Sequence, residues 1–326
     1  MNIAVVAITR GGLALGRKLA AALDRATLLE KREQVKTADL LRDNWHRFDG
    51  FICIMAAGIV VRSIAPLLEH KKTDPGVVVI DEKGKNVISL LSGHLGGAND
   101  LTRRVAAILG ANPVITTASD TLELAALDLW ARDCNLVPPA PRILTTLSAK
   151  LVNSGSLKFY SDKEFGSTPE GLERVLTLSE ADFAISNRVY GDSDLPFFRP
   201  RDLVVGTGCN RNTPASEFKQ ALDELFSELG LAPGSIRNLA SIDKKNDEEG
   251  LLKFATDNGW TIDFFTSDEI NSLKNLEISF AALKAVGAIG VAEPACLLSA
   301  KSHLLLSRKR KWKNITMAVA QVPSTW

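Results

Sequence analysis

Cysteine is scarce: Cys53, Cys134, Cys209 and Cys296 are the four in 326 residues, and no two form a Cys-x-x-Cys pair. That spacing argues against a structural zinc site, and so long and cysteine-poor a chain argues against a disulfide framework. The four histidines and four cysteines are scattered without metal-ligand spacing, so no resident metal or other cofactor is expected. An excess of charge is missing too. With 39 Lys and Arg against 38 Asp and Glu, net +1, the chain lacks the basic surface of a general nucleic-acid binder. An anionic ligand must then be met by a local basic cluster. Long hydrophobic runs are also lacking. The apolar start from Met1 to Ile8 has no basic flank and ends at Thr9-Arg10, too short for a signal peptide or a membrane span. The expectation is a cytoplasmic protein with neither membrane nor nucleic-acid partners. Neither a P-loop nor a G-x-G-x-x-G string follows the first apolar run, and repeats and low-complexity tracts are lacking.

What is present is an ordinary globular composition, 45% hydrophobic and 24% charged, in a chain long enough for two or three domains. Ile3 to Ile8 reads as a strand buried on both faces, followed by Thr9-Arg10-Gly11-Gly12 and a helix from Leu13 to Leu23. Gly50 to Met55 is a second strand, Ala56-Ala57-Gly58 a turn, and Ile59 to Leu68 a helix. Val77 to Asp81 turns at Glu82 to Lys85, and Asn86 to Leu90 pairs back as a hairpin. A helix from Asp100 to Leu109 and a strand at Pro113 to Thr116 complete an open, mainly parallel α/β sheet with flanking helices over residues 1–133. Residues 134–199, broken by Pro138, Pro139 and Pro141, read as a small α/β linker domain. Residues 200–326 read as a C-terminal α/β domain. Within it, Leu203 to Val205 is a strand, Gly206 to Asn212 a polar loop, Thr213 a helix cap, and Pro214 the first residue of a helix to Leu229. Gly250 to Asn258 and Ala295 to Ala300 read as helices and Trp260 to Phe265 as a strand. A closing hairpin joins Leu304–Ser307 to Ile315–Gln321 through a basic loop, Arg308 to Lys313.

Strand-to-helix loops are where open α/β sheets gather ligands. Thr9 to Gly12 is either a turn that needs glycine or an anion cradle. Arg62, one turn past Gly58, could fork onto a carboxylate or simply be a solvated helix residue. Ser92-Gly93-His94-Leu95-Gly96-Gly97-Ala98-Asn99 carries more chemistry: three glycines, an imidazole, a hydroxyl and an amide directly after an apolar strand. There His94 is a candidate acid or base, and Ser92 a hydrogen-bonding group or nucleophile; the rival reading is a surface histidine. Farther on, Gly206-Thr207-Gly208-Cys209-Asn210-Arg211 repeats the strand–glycine loop–helix pattern, with Cys209 favoured as structural because no histidine lies near it in sequence. Ser241 to Glu248 is a polar segment of mixed charge, and Glu293 is either a capping carboxylate or a site acid.

These strings resemble the cobalt-precorrin-5A hydrolases of anaerobic cobalamin biosynthesis. The resemblance runs through Met55 to Arg62, Asp74 to Val79, Ile88 to Asn99 and Pro113 to Asp120. It resumes at Val204 to Arg211, Leu239 to Lys245 and Gly290 to Ala295, and is weakest across 134–195. It implies a hydrolase that opens the δ-lactone of a cobalt-corrinoid substrate with loss of acetaldehyde, the cobalt arriving with the substrate and not as a cofactor. Toward that reaction, the resemblance and the loops together suggest His94, Ser92 and Glu293 as catalytic residues. Gly58, Arg62, Gly93, Gly96, Gly97, Asn99, Gly206, Gly208, Cys209, Arg211, Ser241 and Lys245 would contact substrate, the Gly96 and Gly97 amides as oxyanion donors. Transient contacts with neighbouring pathway enzymes are a further expectation. The alternatives are a non-catalytic corrinoid carrier and a nucleotide-binding enzyme.

Overall fold

The computed structural model describes residues 1–30, 34–70, 73–164, 167–191, 193–274 and 276–323. Two compact units divide the chain, Met1–Trp130 and Ala131–Trp326.

In the first unit, IAVVA, GFICI and GVVVI are unbroken apolar runs, and all are buried on both faces as β1 (Ile3–Ala7), β3 (Gly50–Ile54) and β4 (Gly76–Ile80). With β2 (Ala26–Leu29), β5 (Asn86–Leu91) and β6 (Asn112–Val114) they form a sheet in the order β2-β1-β3-β4-β5-β6. The first four strands in that order are parallel. Alternate residues feed two cores: Val5, Ile52 and Val78 with Leu19 and Val105 on one face, Val6, Cys53 and Val79 with Trp45 and Val60 on the other. Reversal comes at Asp81, whose carboxylate accepts the amides of Lys83 at 2.9 Å, Lys85 at 3.3 Å and Asn86 at 2.6 Å around Gly84 at φ +65°. β5 therefore returns antiparallel to β4, and β6 runs parallel to β5. The carboxyl ends of β5 and β6 thus lie at the edge where β1, β3 and β4 begin. This orientation governs where the loops meet.

Sequence periodicity missed β2 and the helix Thr37–Asn44, both short. The helices Arg10–Ala22 and Ala98–Leu109 start two to three residues earlier than the apolar pattern suggests, because Thr9 and Gly97 cap them.

The second unit holds two sheets. One comprises β7 (Leu136–Val137), β8 (Leu157–Ser161), β9 (Leu172–Val175), β10 (Phe183–Ile185) and β11 (Phe197–Pro200), in the order β7-β11-β10-β8-β9. Phe159 stacks on Phe183 with ring centroids 5.6 Å apart, and Phe183 meets Phe198 at 5.0 Å, so the core rests on rings spaced far apart in sequence. The other comprises β12 (Leu203–Cys209), β13 (Ile236–Ile242), β14 (Thr261–Phe265), β15 (Leu305–Lys311) and β16 (Ile315–Gln321), ordered β14-β13-β12-β16-β15.

Here three expectations are corrected. Gly206 to Cys209 is strand, not loop: β12 pairs residue for residue with β16 from Leu203↔Gln321 to Cys209↔Ile315. Its glycines serve close packing, since a Cβ on Gly206 would overlap the Ala292 carbonyl and one on Gly208 would lie 2.7 Å from Thr316 Oγ1. The helix after it begins at Ala215 with Pro214 as its cap, while the Thr213 hydroxyl donates to the Asn210 carbonyl at 2.9 Å. Arg308 to Lys311 belong to β15, leaving only residues 312–314 as the turn. Among the described residues no helix is long and apolar enough to cross a membrane.

Candidate active site

β5 ends at Leu91, and Ser92 breaks it by adopting φ +55°, an uncommon conformation for a residue with a side chain. The chain then folds tightly back. Gly97 N–H donates to the His94 carbonyl at 2.8 Å, Ala98 N–H to Ser92 at 3.2 Å and Asn99 N–H to Gly93 at 3.0 Å. Glycine is required at Gly97, which sits at φ +75°. It is also required at Gly93, where a Cβ would press to 2.6 Å from the Asn99 side-chain oxygen. This turn presents His94 beside the segment that follows β6.

Around the imidazole the geometry is specific. Nε2 lies 3.2 Å from Asp120 Oδ2 and 3.1 Å from the Ser119 hydroxyl, while Nδ1 lies 3.6 Å from Asp128 Oδ1. The ring is about a quarter exposed. Asp120 also accepts Asn99 Nδ2 at 2.8 Å and the Arg103 guanidinium. Asn99 in turn accepts the Ser89 hydroxyl at 2.6 Å and donates to Thr117 at 3.1 Å, which locks its amide orientation. A carboxylate fixing an imidazole, itself fixed by an amide and a guanidinium, is the arrangement an acid–base histidine needs.

Of the residues expected from sequence, His94, Gly93, Gly96, Gly97 and Asn99 meet here. Gly97's amide is engaged by the His94 carbonyl, so it is not a free oxyanion donor. The Ser92 hydroxyl is shut from solvent without a hydrogen-bond partner among the described residues; the hydroxyl that touches the imidazole is Ser119's. Sequence reasoning missed Ser119, Asp120, Arg103 and Asp128 as site residues. A signal existed for two of them: β6 parallel to β5 would put Ser119-Asp120 beside the His94 loop. Asp128 carried none.

Arg62 lies elsewhere. Its guanidinium folds back over Gly58, with Nη1 3.4 Å from where a Cβ would stand, and it is exposed. It sits past the carboxyl end of β3, the opposite edge of the sheet from His94 and roughly 16 Å away for a five-residue strand. The Thr9–Gly12 loop shares that edge. There Thr9 Oγ1 caps the helix by accepting Gly12 N–H at 3.0 Å and donates to the Glu82 carboxylate at 2.7 Å. A Cβ on Gly11 would collide with that carboxylate. A negative charge thus occupies the ground a phosphate would need, which counts against the nucleotide reading.

In the second unit the expected residues face internal partners. Lys245 Nζ donates to Glu248 at 3.2 Å, with side chains only 9% and 2% exposed. Arg211 pairs with Asp247 at 2.5 Å and donates to the Lys244 carbonyl at 3.0 Å, while remaining more than half exposed. Ser241 donates to the Thr207 carbonyl at 2.8 Å. Glu293, in the first turn of the helix Ala292–Ala300, accepts the Lys309 amide at 2.7 Å and so anchors β15. Burial pushes the Cys209 thiol up to about 11 against the opposing charges of Lys245 and Arg211, which leaves it protonated and poorly nucleophilic at neutral pH.

Comparison with known proteins gives a consistent result. The family model described as Cobalamin synthesis G N-terminal matches residues 39–120, and that described as Cobalamin synthesis G C-terminus matches residues 203–320. Over 357 residues the chain is 35% identical to the Cobalt-precorrin-5A hydrolase of Priestia megaterium, covering 99% of this chain and 95% of that one. Over 345 residues it is 33% identical to the Cobalt-precorrin-5A hydrolase of Salmonella typhimurium, covering 98% of each. Protein CobE of a Sinorhizobium species is 34% identical over 124 residues, 36% of this chain and 79% of that one.

Proposed function

The chain belongs to the cobalt-precorrin-5A hydrolase family, and on that premise we propose that the δ-lactone of the cobalt-corrinoid substrate is opened at the His94 loop. Lactone hydrolysis needs an activated water, stabilisation of the developing oxyanion and a proton for the departing ring oxygen; expulsion of acetaldehyde then needs removal of a hydroxyl proton. The observation that carries the assignment is the His94 imidazole held between Asp120 and Asp128. His94 moves the protons, and Asp120 orients the ring.

Substrate carboxylates need cations near this edge. Arg103, one turn into the helix Ala98–Leu109 and about half exposed, is better placed for that than Arg62. In the second unit Arg211 is more than half exposed but already paired with Asp247, while Lys245, Ser241 and Glu293 bond to internal partners. Cobalt enters as part of the substrate, with no resident cofactor. The reaction belongs in the cytoplasm, and a labile product favours direct transfer to the next enzyme of the pathway.

The test is acetaldehyde release from cobalt-precorrin-5A by the purified protein. His94→Ala is expected to lower the rate about 10²–10⁴-fold, the ordinary worth of a positioned acid–base group. A variant at the wild-type rate would remove His94 from the chemistry. Corrinoid binding without acetaldehyde from the unaltered protein would support the carrier reading instead.

A further inference from the structure

The two carboxylates beside His94 are not equivalent. Asp120 accepts from Asn99 and Arg103 as well as facing Nε2, and its side chain is 15% exposed. It is charge-balanced by Arg103, and three of its roughly four lone-pair sites are engaged. Asp128 stands 3.6 Å from Nδ1, is 26% exposed, and otherwise accepts only the Leu129 amide at 3.0 Å among the described residues. Among the described residues its carboxylate keeps free lone pairs and has no ion-pair partner other than the imidazole. It also lies beyond residues 39–120, the span of the N-terminal family match.

The chemistry asks for such a partner. Each half of the reaction removes one proton and delivers another, and a carboxylate beside the imidazole gives the two transfers separate carriers. We propose that Asp128 and His94 form a proton-exchanging pair that serves both halves, with Asp120 as the positioning residue for the ring. This rests on the assignment of the lactone to the His94 loop.

The proton account closes. The cycle starts with His94 protonated on both nitrogens, the form that can donate to both flanking carboxylates, and with Asp128 ionised. As water adds to the lactone carbonyl carbon, Asp128 takes one of its protons. The acyl–oxygen bond breaks, and the Nδ1 proton passes to the departing ring oxygen, which becomes a hydroxyl. In the second half, Nδ1 removes that hydroxyl proton while the carbon–carbon bond to the macrocycle breaks. The oxygen becomes the acetaldehyde carbonyl, the electron pair stays on the macrocycle carbon, and protonated Asp128 supplies that carbon's proton. Both residues return to their starting states, and no outside oxidant or base is consumed.

The experiment uses the full chain with cobalt-precorrin-5A, following acetaldehyde and, by mass, the ring-opened hydroxy acid heavier than substrate by one water. Among the described residues, the charged and titratable groups facing the pair are Asp120, and Arg103 through it. Asp128→Asn is expected to lower kcat about 10²–10⁴-fold with KM within about twofold. It should also flatten the acidic limb of the pH profile and leave ring-opened hydroxy acid low, because both halves lose the same carboxylate; build-up of that acid would confine Asp128 to the second half and overturn the pairing over both. Asp128→Glu should restore part of the rate and the limb. If Asp128→Asn keeps wild-type kcat and limb while His94→Ala is inactive, the pair is overturned and the His94 site stands. Should His94→Ala run at the wild-type rate, the site assignment falls and the pair with it. Loss of activity in both Asp128 variants that tracks a lowered unfolding midpoint makes the role structural and overturns the proposal.

Discussion

Cys209 shows how little a residue type says without its surroundings. Its place at the end of a glycine-rich run leaves both a reactive and a structural thiol open, with the structural reading favoured by the lack of a nearby histidine; burial raises its pKa to about 11, and Cys53 and Cys296 are pushed to about 12 by the same cause. Alkylation of the native protein by iodoacetamide at pH 7 should therefore leave Cys209 unmodified while a small free thiol reacts; rapid labelling there would contradict the packing. Lys245 teaches the same lesson from the other side. In sequence it is a free cation, but in the fold it is a buried donor whose one ion-pair partner among the described residues is Glu248. Glu248→Ala strands that charge, and urea unfolding should show a loss of about 3–5 kcal/mol. His94 was legible as a candidate because glycines and polar groups rarely crowd the end of a buried strand without a use. Asp120 was half legible: its segment was visible, its role was not. The carboxylates beside the ring come from 26 and 34 positions downstream, and the β5–β6 pairing brings the first of their segments near.

At the scale of elements, the turn between β4 and β5 decides where the site forms. Had β5 run parallel, His94 would share an edge with Arg62; because Asp81 reverses the chain, the two lie on opposite edges. The hairpin was readable from the turn residues, so the separation was implicit in the sequence even though both residues were expected to serve one ligand. Partial burial opposes ionisation of Asp81, but the amides of Asn86, Lys85 and Lys83 and the Asn86 side chain outweigh it and hold its pKa below the usual value. A lowered folded pKa means that the stabilisation is present above the unfolded value and is lost as pH falls through the folded one. Asp81→Ala should then destabilise by about 1–2 kcal/mol at pH 7 and by progressively less as pH falls below the unfolded carboxylate range, read from denaturant midpoints. A penalty independent of pH would show that the ionised carboxylate is not what holds the turn. Elements that escaped the sequence reading were those whose stability is borrowed. β2 has four residues, β7 two, and the middle sheet draws on Phe159, Phe183 and Phe198, which show no local period.

Across the whole molecule, cooperativity should follow hydrogen bonds and not the texture of the sequence, which divides the chain near 133 and 199. The second of those divisions is bridged. Asp202, between β11 and β12, accepts Asn187 Nδ2 at 3.0 Å and Gln321 Nε2 at 2.6 Å, with Lys163 Nζ 3.4 Å away. Asn187 follows β10 and Gln321 ends β16, so one buried carboxylate ties both sheets of the second unit. Backbone bonds reinforce it: Val189 N–H donates to Gly230 at 2.8 Å and Ala232 N–H to Asn187 at 2.7 Å. Burial raises the Asp202 pKa while Lys163 opposes the rise. A raised folded pKa contributes most below the unfolded value and fades as pH climbs through the folded one, so this junction should resist acid. Calorimetry of the intact chain should accordingly resolve two transitions, one for residues 1–130 and one in which both sheets of residues 131–326 melt together. Asp202→Ala leaves Asn187 and Gln321 without their acceptor in a buried place and should lower the second transition alone, by a few degrees for each kcal/mol lost. Three separate transitions in the unaltered protein would show that the Asp202 junction does not couple the sheets.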